Sequence, residues 1–164
     1  MLIREAILSD VPELNKLLNS VAREKIHLSV NKTKTLKERE KWFKKYLEKR
    51  KKNKKIMLVC LKNNKIVGFS SAKRKNGKKS HVWEISYQVK KEYRKIGIGS
   101  TLLSKLLDYL KNMGAEQIIA FVIETNKASA TLLKKFGFEE VGRIKKGIKI
   151  GENYCDYILF QKTL

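Results

Sequence analysis

This 164-residue chain is short of cysteine, proline, histidine and acid. Its two cysteines, Cys60 and Cys155, form no CxxC pair and no Cys/His cluster at metal-ligand spacing, which excludes a zinc ribbon, a dithiol redox motif and a disulfide scaffold. Two free thiols agree with a reducing cytosol. One proline and nine glycines exclude a collagen-like repeat. His27 and His81 are too few and too far apart in sequence to build a metal site, and read as ordinary surface or half-buried histidines. No apolar run reaches the roughly 20 residues that a membrane span requires. Arg4 and Glu5 interrupt any signal-peptide core. The expectation is a soluble, cytoplasmic protein without a metal or a membrane anchor.

Acid is the scarcest component relative to its counterpart. Sixteen Asp and Glu face 38 Lys and Arg, a net charge of +22. Between Asn31 and Lys55 there are thirteen basic residues and three acidic ones. Such a field attracts polyanions and repels polycations, so nucleic acid, an acidic protein face and an anionic cofactor all have the right sign as partners. Thirty-one of the 38 basic residues are lysine, the less specific reader of phosphate. A solvated, lysine-rich helix face is therefore the preferred account of the basic segment.

What is present is the composition of one ordinary domain spanning residues 1–164, with 42% hydrophobic and 33% charged residues. Residues 1–8 read as a short strand, and Ser9-Asp10 as a helix N-cap ahead of Pro12. Val11, Leu14, Leu17, Leu18 and Val21 then recur at helical spacing. A polar stretch at 29–35 leads to a second helix from about Thr35-Leu36, with Trp42, Phe43, Tyr46 and Leu47 on one face; core packing is the expected role of these residues, an acceptor pocket the alternative. Residues 56–61 and 66–73 pattern as strands joined at Asn63-Asn64, and 81–89 as a third strand after a turn at Asn76-Gly77. A helix follows over 97–113, a buried strand over 117–123 and a helix over 128–136, with Gly137 as its C-cap glycine. Two closing strands, 138–144 and 154–161, flank a loop at 147–153. The order describes an α/β layer structure with a mixed sheet.

The most specific segment reads VKKEYRKIGIGSTLL over residues 89–103. A strand ends and Arg94-Lys95-Ile96-Gly97-Ile98-Gly99-Ser100 opens a helix. Glycines let backbone N–H groups converge, and the helix N-terminus adds partial positive charge, a combination that binds pyrophosphate. The spacing is neither a Walker loop nor a dinucleotide fingerprint. A helix with two glycines chosen for tight packing is the plainer alternative, which the R-x-x-G-x-G pattern between strand and helix argues against.

Here the chain resembles the GNAT superfamily of acetyl-CoA-dependent N-acetyltransferases. The opening IREAILSDVPELNKLL resembles that family's first strand and helix. Asn126 through Phe138, NKASATLLKKFGF, is similar to its NxxSxxLYxxxGF-like segment. TLKEREKWF at 35–43 and the closing GRIKKGIKIGENYCDYILFQ are most like the phosphinothricin/methionine-sulfone acetyltransferase branch. The resemblance implies a mixed central sheet of about six to seven strands flanked by about four helices. It implies transfer of an acetyl group from acetyl-CoA to a primary amine by direct attack on the thioester, an amino acid or analogue being the favoured acceptor and a protein amine next. A polyamine is disfavoured by the chain's own charge.

Carried over by position, acetyl-CoA would lie where strands 81–89 and 117–123 splay. Backbone groups of Tyr87, Gln88 and Val89 would pair with the pantetheine arm and aim a donor at the thioester oxygen. Arg94, Lys95, Gly97, Gly99 and Ser100 would take the pyrophosphate, with Ile96 and Ile98 also counted as cofactor-binding in the same turn. Asn126 would hold the pantetheine arm or cap the helix that follows, with Ser129 beside it. Glu84 matches the general base of the phosphinothricin branch; a partner for nearby lysines is its alternative. A base matters because an amine of pKa near 10.4 is neutral in only about one molecule in 2,500 at pH 7, a penalty of about 4.6 kcal/mol. For an α-amino group near pKa 8 the penalty is about 1.4 kcal/mol. Leu133 stands where the family carries Tyr or His and cannot protonate the leaving thiolate; Tyr87, Tyr154 and water are the substitutes. Asp156 would orient an acceptor amine or pair with Lys145 or Lys149. Leu133 and the basic segment also motivate a rival, a nucleic-acid- or ribosome-associated binding module that keeps the fold without catalysis. Edge strands leave a homodimer open.

Overall fold

A computed structural model describes residues 1–24 and 32–164. His27 and the first part of the polar stretch at 29–35 lie outside the described residues. The elements run β1 (Leu2–Glu5), α1 (Val11–Arg23), α2 (Leu36–Lys51), β2 (Lys55–Lys62), β3 (Lys65–Arg74), β4 (Val82–Val89), α3 (Ile98–Asn112), β5 (Gln117–Ile123), α4 (Lys127–Lys135), β6 (Glu139–Ile150) and β7 (Asn153–Thr163). Among the described residues these give one seven-stranded sheet in the order β1-β2-β3-β4-β5-β7-β6, with four α-helices. Every pairing is antiparallel except β4 with β5. The mixed α/β architecture expected from the element order is the one observed. No helix among the described residues is long and apolar enough to cross a membrane.

The sheet divides the core in two. One face packs α3 and α4 through Trp83, Ile85, Ile98, Leu102, Leu106, Ile118, Leu133 and Phe160. The other packs α1 and α2 through Leu14, Leu17, Phe43, Tyr46, Met57, Val59 and Phe69. Because side chains alternate along a strand, β4 sends Trp83, Ile85, Tyr87 and Val89 to the α3/α4 face. Glu84, Ser86 and Gln88 therefore belong to the opposite one.

Two boundaries differ from the sequence reading, each for a local reason. β1 stops at Glu5 and residues Leu8–Asp10 wind into a 3-10 turn. Asp10 does not cap α1 through its side chain. Its carboxylate instead accepts both guanidinium nitrogens of Arg4, at 2.7 and 2.8 Å, and the Ile7 N–H at 2.9 Å, closing the loop back onto β1. At the other end the expected loop over 147–153 is mostly strand. The turn contracts to Gly151-Glu152, with Gly151 at φ +60°. Gly147 lies inside β6, where a Cβ would come 2.9 Å from Tyr157 Cβ, and the register slips between Ile144 and Ile148. That bulge hides the strand period from sequence.

The second helix begins as predicted. Thr35 and Glu38 form a capping box, with Thr35 Oγ1 accepting the Glu38 N–H and Glu38 Oε2 accepting the Thr35 N–H. Phe43 and Tyr46 are buried, while Lys37, Lys41, Lys44, Lys45, Lys49 and Lys51 are exposed. The half-buried Trp42 ring has two cations near it, with Arg39 at 5.1 Å and Lys55 at 5.3 Å from its centre. Burial, with Lys49 and Lys73 as like-charged neighbours, pulls Lys55 down to about 8 from an ordinary 10.5. A lysine that binds its proton less tightly folded than unfolded penalises the fold below pH 8 and releases that penalty as pH rises towards 10.5. Lys55→Met accordingly melts above wild type at pH 7, and the difference narrows in thermal melts taken at successively higher pH.

Candidate active site

β4 and β5 pair over only three residues: Val82 with Gln117, Trp83 with Ile118 and Glu84 with Ile119. Beyond Glu84 the strands part. β4 stays with β3 as far as Val89, and β5 stays with β7 as far as Ile123. The gap holds a cleft of about 250 Å³ whose lining comes from both faces of the sheet. Its lining includes Ile85, Tyr87, Val122, Asn126, Ser129 and Leu133 from the α3/α4 side, and Glu84, Ser86, Gln88, Phe121 and Tyr157 from the α1/α2 side. The strands that part are the two that the family resemblance implied.

Backbone direction in this gap follows from hydrogen-bond phase. The Lys90 N–H donates to Val67 O at 3.0 Å and Val82 O accepts the Lys75 N–H at 2.9 Å, so even-numbered residues of β4 turn their backbone to β3. Alternation then turns the peptide groups of Tyr87 and Val89 towards the gap. The Val89 carbonyl is taken by Arg94 Nε at 2.9 Å, which leaves the Val89 N–H and both peptide groups of Tyr87 on the open side. Gln88 differs from its neighbours: its backbone faces β3, and its side chain stands on the α1/α2 face.

The glycine turn ends in a helix start suited to an anion. Lys95 and Gly97 adopt positive φ, +62° and +88°, and Gly97 is the N-cap of α3. The first i to i−4 bond runs from the Thr101 N–H to Gly97 O. The N–H groups of Ile98, Gly99 and Ser100 therefore precede the ladder and are open to an external acceptor. Ile98 is buried and anchors the turn; Ile96 is exposed. A Cβ on Gly99 would come 3.3 Å from Leu132 Cδ2, so α4 crosses close to this turn. Gly68 on β3, not singled out from sequence, is the floor beneath it: a Cβ there would lie 2.8 Å from Leu102 Cδ1 and 2.9 Å from Ile98 Cγ2.

Arg94, expected to take the pyrophosphate, instead has all three guanidinium nitrogens bonded within the protein. Besides Val89 O, its two terminal nitrogens donate to the Glu24 carboxylate at 2.8 and 2.6 Å. The bidentate pair fastens the C-terminal end of α1 to the β4–α3 connection. Glu24 follows α1 directly, and nothing in the sequence linked it to a residue 70 positions away. Arg94→Met should cost roughly 1–2 kcal/mol in urea unfolding, the usual worth of charged hydrogen bonds at a half-buried site.

Asn126 caps α4, its Oδ1 accepting the Ser129 N–H at 3.1 Å, while it also lines the cleft. Tyr87 Oη lies 2.7 Å from Ser129 Oγ. Burial pushes the Tyr87 phenol up against the opposing pull of Ser129, so it remains a proton donor at neutral pH. Leu133 is fully buried and lines the same cleft. Tyr154 is exposed beside Lys146 and Lys149 and is not part of the lining. Tyr157, which sequence reasoning missed, stacks on Phe121 with ring centres 4.9 Å apart. It sits opposite Ile123 on the neighbouring strand, a placement that only the folded sheet brings about.

Glu84 lines the cleft and accepts a hydrogen bond from Lys75 Nζ on Oε2. The expected lysine partner is thus present, and Oε1 remains as a second acceptor. Asp156 pairs with neither Lys145 nor Lys149. Its carboxylate accepts the Lys146 N–H at 2.9 Å and Arg143 at 3.1 Å, and these bonds hold it below the usual carboxylate range. It is not among the cleft residues.

Residues 3–159 match the acetyltransferase (GNAT) domain family. The chain belongs to this family. An N-alpha-acetyltransferase of Sulfolobus acidocaldarius is 36% identical over 89 residues, 52% of this chain and 52% of that protein. The GNAT domain described here spans about half the length of the curated relatives it matches. A crystal structure of a ribosomal-protein-alanine N-acetyltransferase from Brucella melitensis superposes with TM-score 0.90 over 100% of both chains at 29% identity. A phosphinothricin acetyltransferase from Sinorhizobium meliloti, solved in complex with acetyl-CoA, superposes at 0.89 over 99% of this chain and 88% of its own at 21% identity. Near-equal likeness to these two shows a GNAT fold and does not single out one branch.

Proposed function

We propose that this GNAT domain is an acetyl-CoA-dependent N-acetyltransferase whose acceptor is a primary α-amino group, in a free amino acid or at a peptide N-terminus. The observation that carries the reading is the cleft lined from both faces of the sheet, with unpaired peptide groups and a helix N-terminus on one side and a carboxylate on the other. Two substrates approaching from opposite faces can meet at the gap. The names of the Sulfolobus and Brucella relatives support an α-amino acceptor, and so does the smaller deprotonation penalty of such amines.

Acetyl-CoA fits the α3/α4 side. The N–H groups of Ile98, Gly99 and Ser100 would receive the pyrophosphate, with Lys95 adding charge. Peptide groups of Tyr87 and Val89 and the amide of Asn126 would hold the pantetheine arm, and a backbone N–H of the gap would face the thioester oxygen. Glu84, on the α1/α2 side, would take the proton of the attacking amine. The nitrogen bonds to the acetyl carbon, the C–S bond breaks, and the leaving sulfur takes a proton from Tyr87, which occupies the cleft where Leu133 has no proton to give.

The test is incubation of the protein with acetyl-CoA and three acceptor groups: the free amino acids, short peptides with Ala, Ser or Met at the N-terminus, and N-terminally blocked lysine peptides. Products are read by mass spectrometry. N-acetylation concentrated on α-amino groups is the expected result. Acetylation of lysine peptides alone, or of nothing, would contradict it.

A further inference from the structure

We infer that Gln88 positions the acceptor amine and makes the site selective for primary over secondary amines, an inference that rests on the acetyltransferase reading and assigns a residue within it. β4 presents three side chains to the α1/α2 side of the cleft: Glu84, Ser86 and Gln88. Two of them are hydrogen-bonded within the protein. Glu84 accepts from Lys75, and Ser86 Oγ shares a hydrogen bond with Ser71 Oγ at 3.0 Å. Gln88 Oε1 is buried and has no hydrogen-bond partner.

Among the described residues nothing donates to that oxygen. The residue opposite Gln88 on β3 is Phe69, whose ring lies 6.5 Å from that of Trp42. The one other buried side-chain atom left without a partner among the described residues, Ser70 Oγ, belongs to the β3 interior and not to the cleft. Gln88 lines the cleft, and a turn of its side chain would bring the orphaned oxygen to a donor arriving there. An amide oxygen accepts and cannot donate, so the group it awaits carries an N–H or O–H.

The chemistry of the step says which. A neutral primary amine attacking a carbonyl carbon through its lone pair keeps two N–H bonds. One proton passes to the base after the new C–N bond forms, and the other is free to be held by Gln88 Oε1. A secondary amine has a single N–H and loses either the positioning bond or the proton path. Gln88 thus lies on the same strand face as Glu84, four residues along, and the two divide the two N–H bonds between them.

The test compares Gln88→Met, which keeps the length of the side chain without the oxygen, with Gln88→Glu, which keeps an acceptor oxygen. Each is assayed with the best free amino acid and with its N-methyl derivative, beside acetyl-CoA titration and thermal melts. Wild type should prefer the primary amine. In Gln88→Met the KM for that amine should rise about tenfold, the worth of one hydrogen bond to a buried acceptor, and the preference over the N-methyl compound should shrink by the same factor. Acetyl-CoA affinity should be unchanged, and Gln88→Glu should keep the wild-type preference. Wild-type turnover with an unaltered KM and preference in Gln88→Met would overturn the assignment of Gln88 alone. Binding of acetyl-CoA with no amine acetylated by wild type would overturn the acetyltransferase reading and this inference with it.

Discussion

Gly99→Glu weakens acetyl-CoA binding by about 100-fold or more, which corresponds to about 2.7 kcal/mol, and Gly99→Ala changes it only a few-fold. The difference between the two isolates electrostatics and occlusion from backbone strain. Gly99 lies in the first turn of α3, and no positive φ is required of it. An added Cβ meets Leu132 Cδ2 at 3.3 Å, the end of a flexible side chain that can give by a few tenths of an ångström. Alanine is therefore accommodated. A glutamate puts a negative charge and four more heavy atoms over the N–H groups of Ile98, Gly99 and Ser100, where the helix terminus favours an anion from outside. The carboxylate competes for those donors and repels the diphosphate. Calorimetric titration at about 150 mM salt, where the surface lysines are largely screened, is the appropriate measurement. Equal affinity in Gly99→Glu and wild type would mean that the turn serves only the packing of α3 against α4.

Glu84→Gln has the second large effect, on turnover and not on donor binding. Removing a positioned general base costs roughly 100- to 1,000-fold in rate. The acetyl-CoA dissociation constant should stay at the wild-type value, because Glu84 stands on the α1/α2 face, across the sheet from the α3 terminus. The pH profile separates this role from a structural one. Without the base, the rate depends on the fraction of acceptor already neutral, so log(kcat/KM) climbs with unit slope to the pKa of the amine, near 8 for an α-amino group. A uniform loss at every pH, together with a lower melting temperature, would instead identify the Lys75–Glu84 pair as structural.

Much of this arrangement was legible in the sequence because it is local. Helical spacing, the Asn63-Asn64 turn and the run at 117–123 each depend on neighbouring residues, and the elements built on them appear within a residue or two of expectation. The R-x-x-G-x-G turn was legible for the same reason: the positive φ of Gly97 and the free N–H groups after it are properties of one short segment. What depends on two distant segments was not. The Arg94–Glu24 clamp and the stacking of Tyr157 on Phe121 each need the folded sheet to bring their halves together. Strand phase was also hidden. Tyr87, Gln88 and Val89 read as one cofactor-facing trio, yet alternation sends Gln88 to the other face, and the bulge at 144–148 conceals a strand behind two lysines and a glycine.

The central claim is that the gap between β4 and β5 is the donor site, and amide chemical-shift mapping tests it most directly. On addition of acetyl-CoA to labelled protein at about 150 mM salt, shifts should concentrate at Ile85–Val89, Ile98–Ser100 and Val122–Ser129 and saturate at one equivalent. Shifts spread instead along the exposed lysines of α2, without saturation and fading as salt is raised, would contradict the account and favour a polyanion-binding surface.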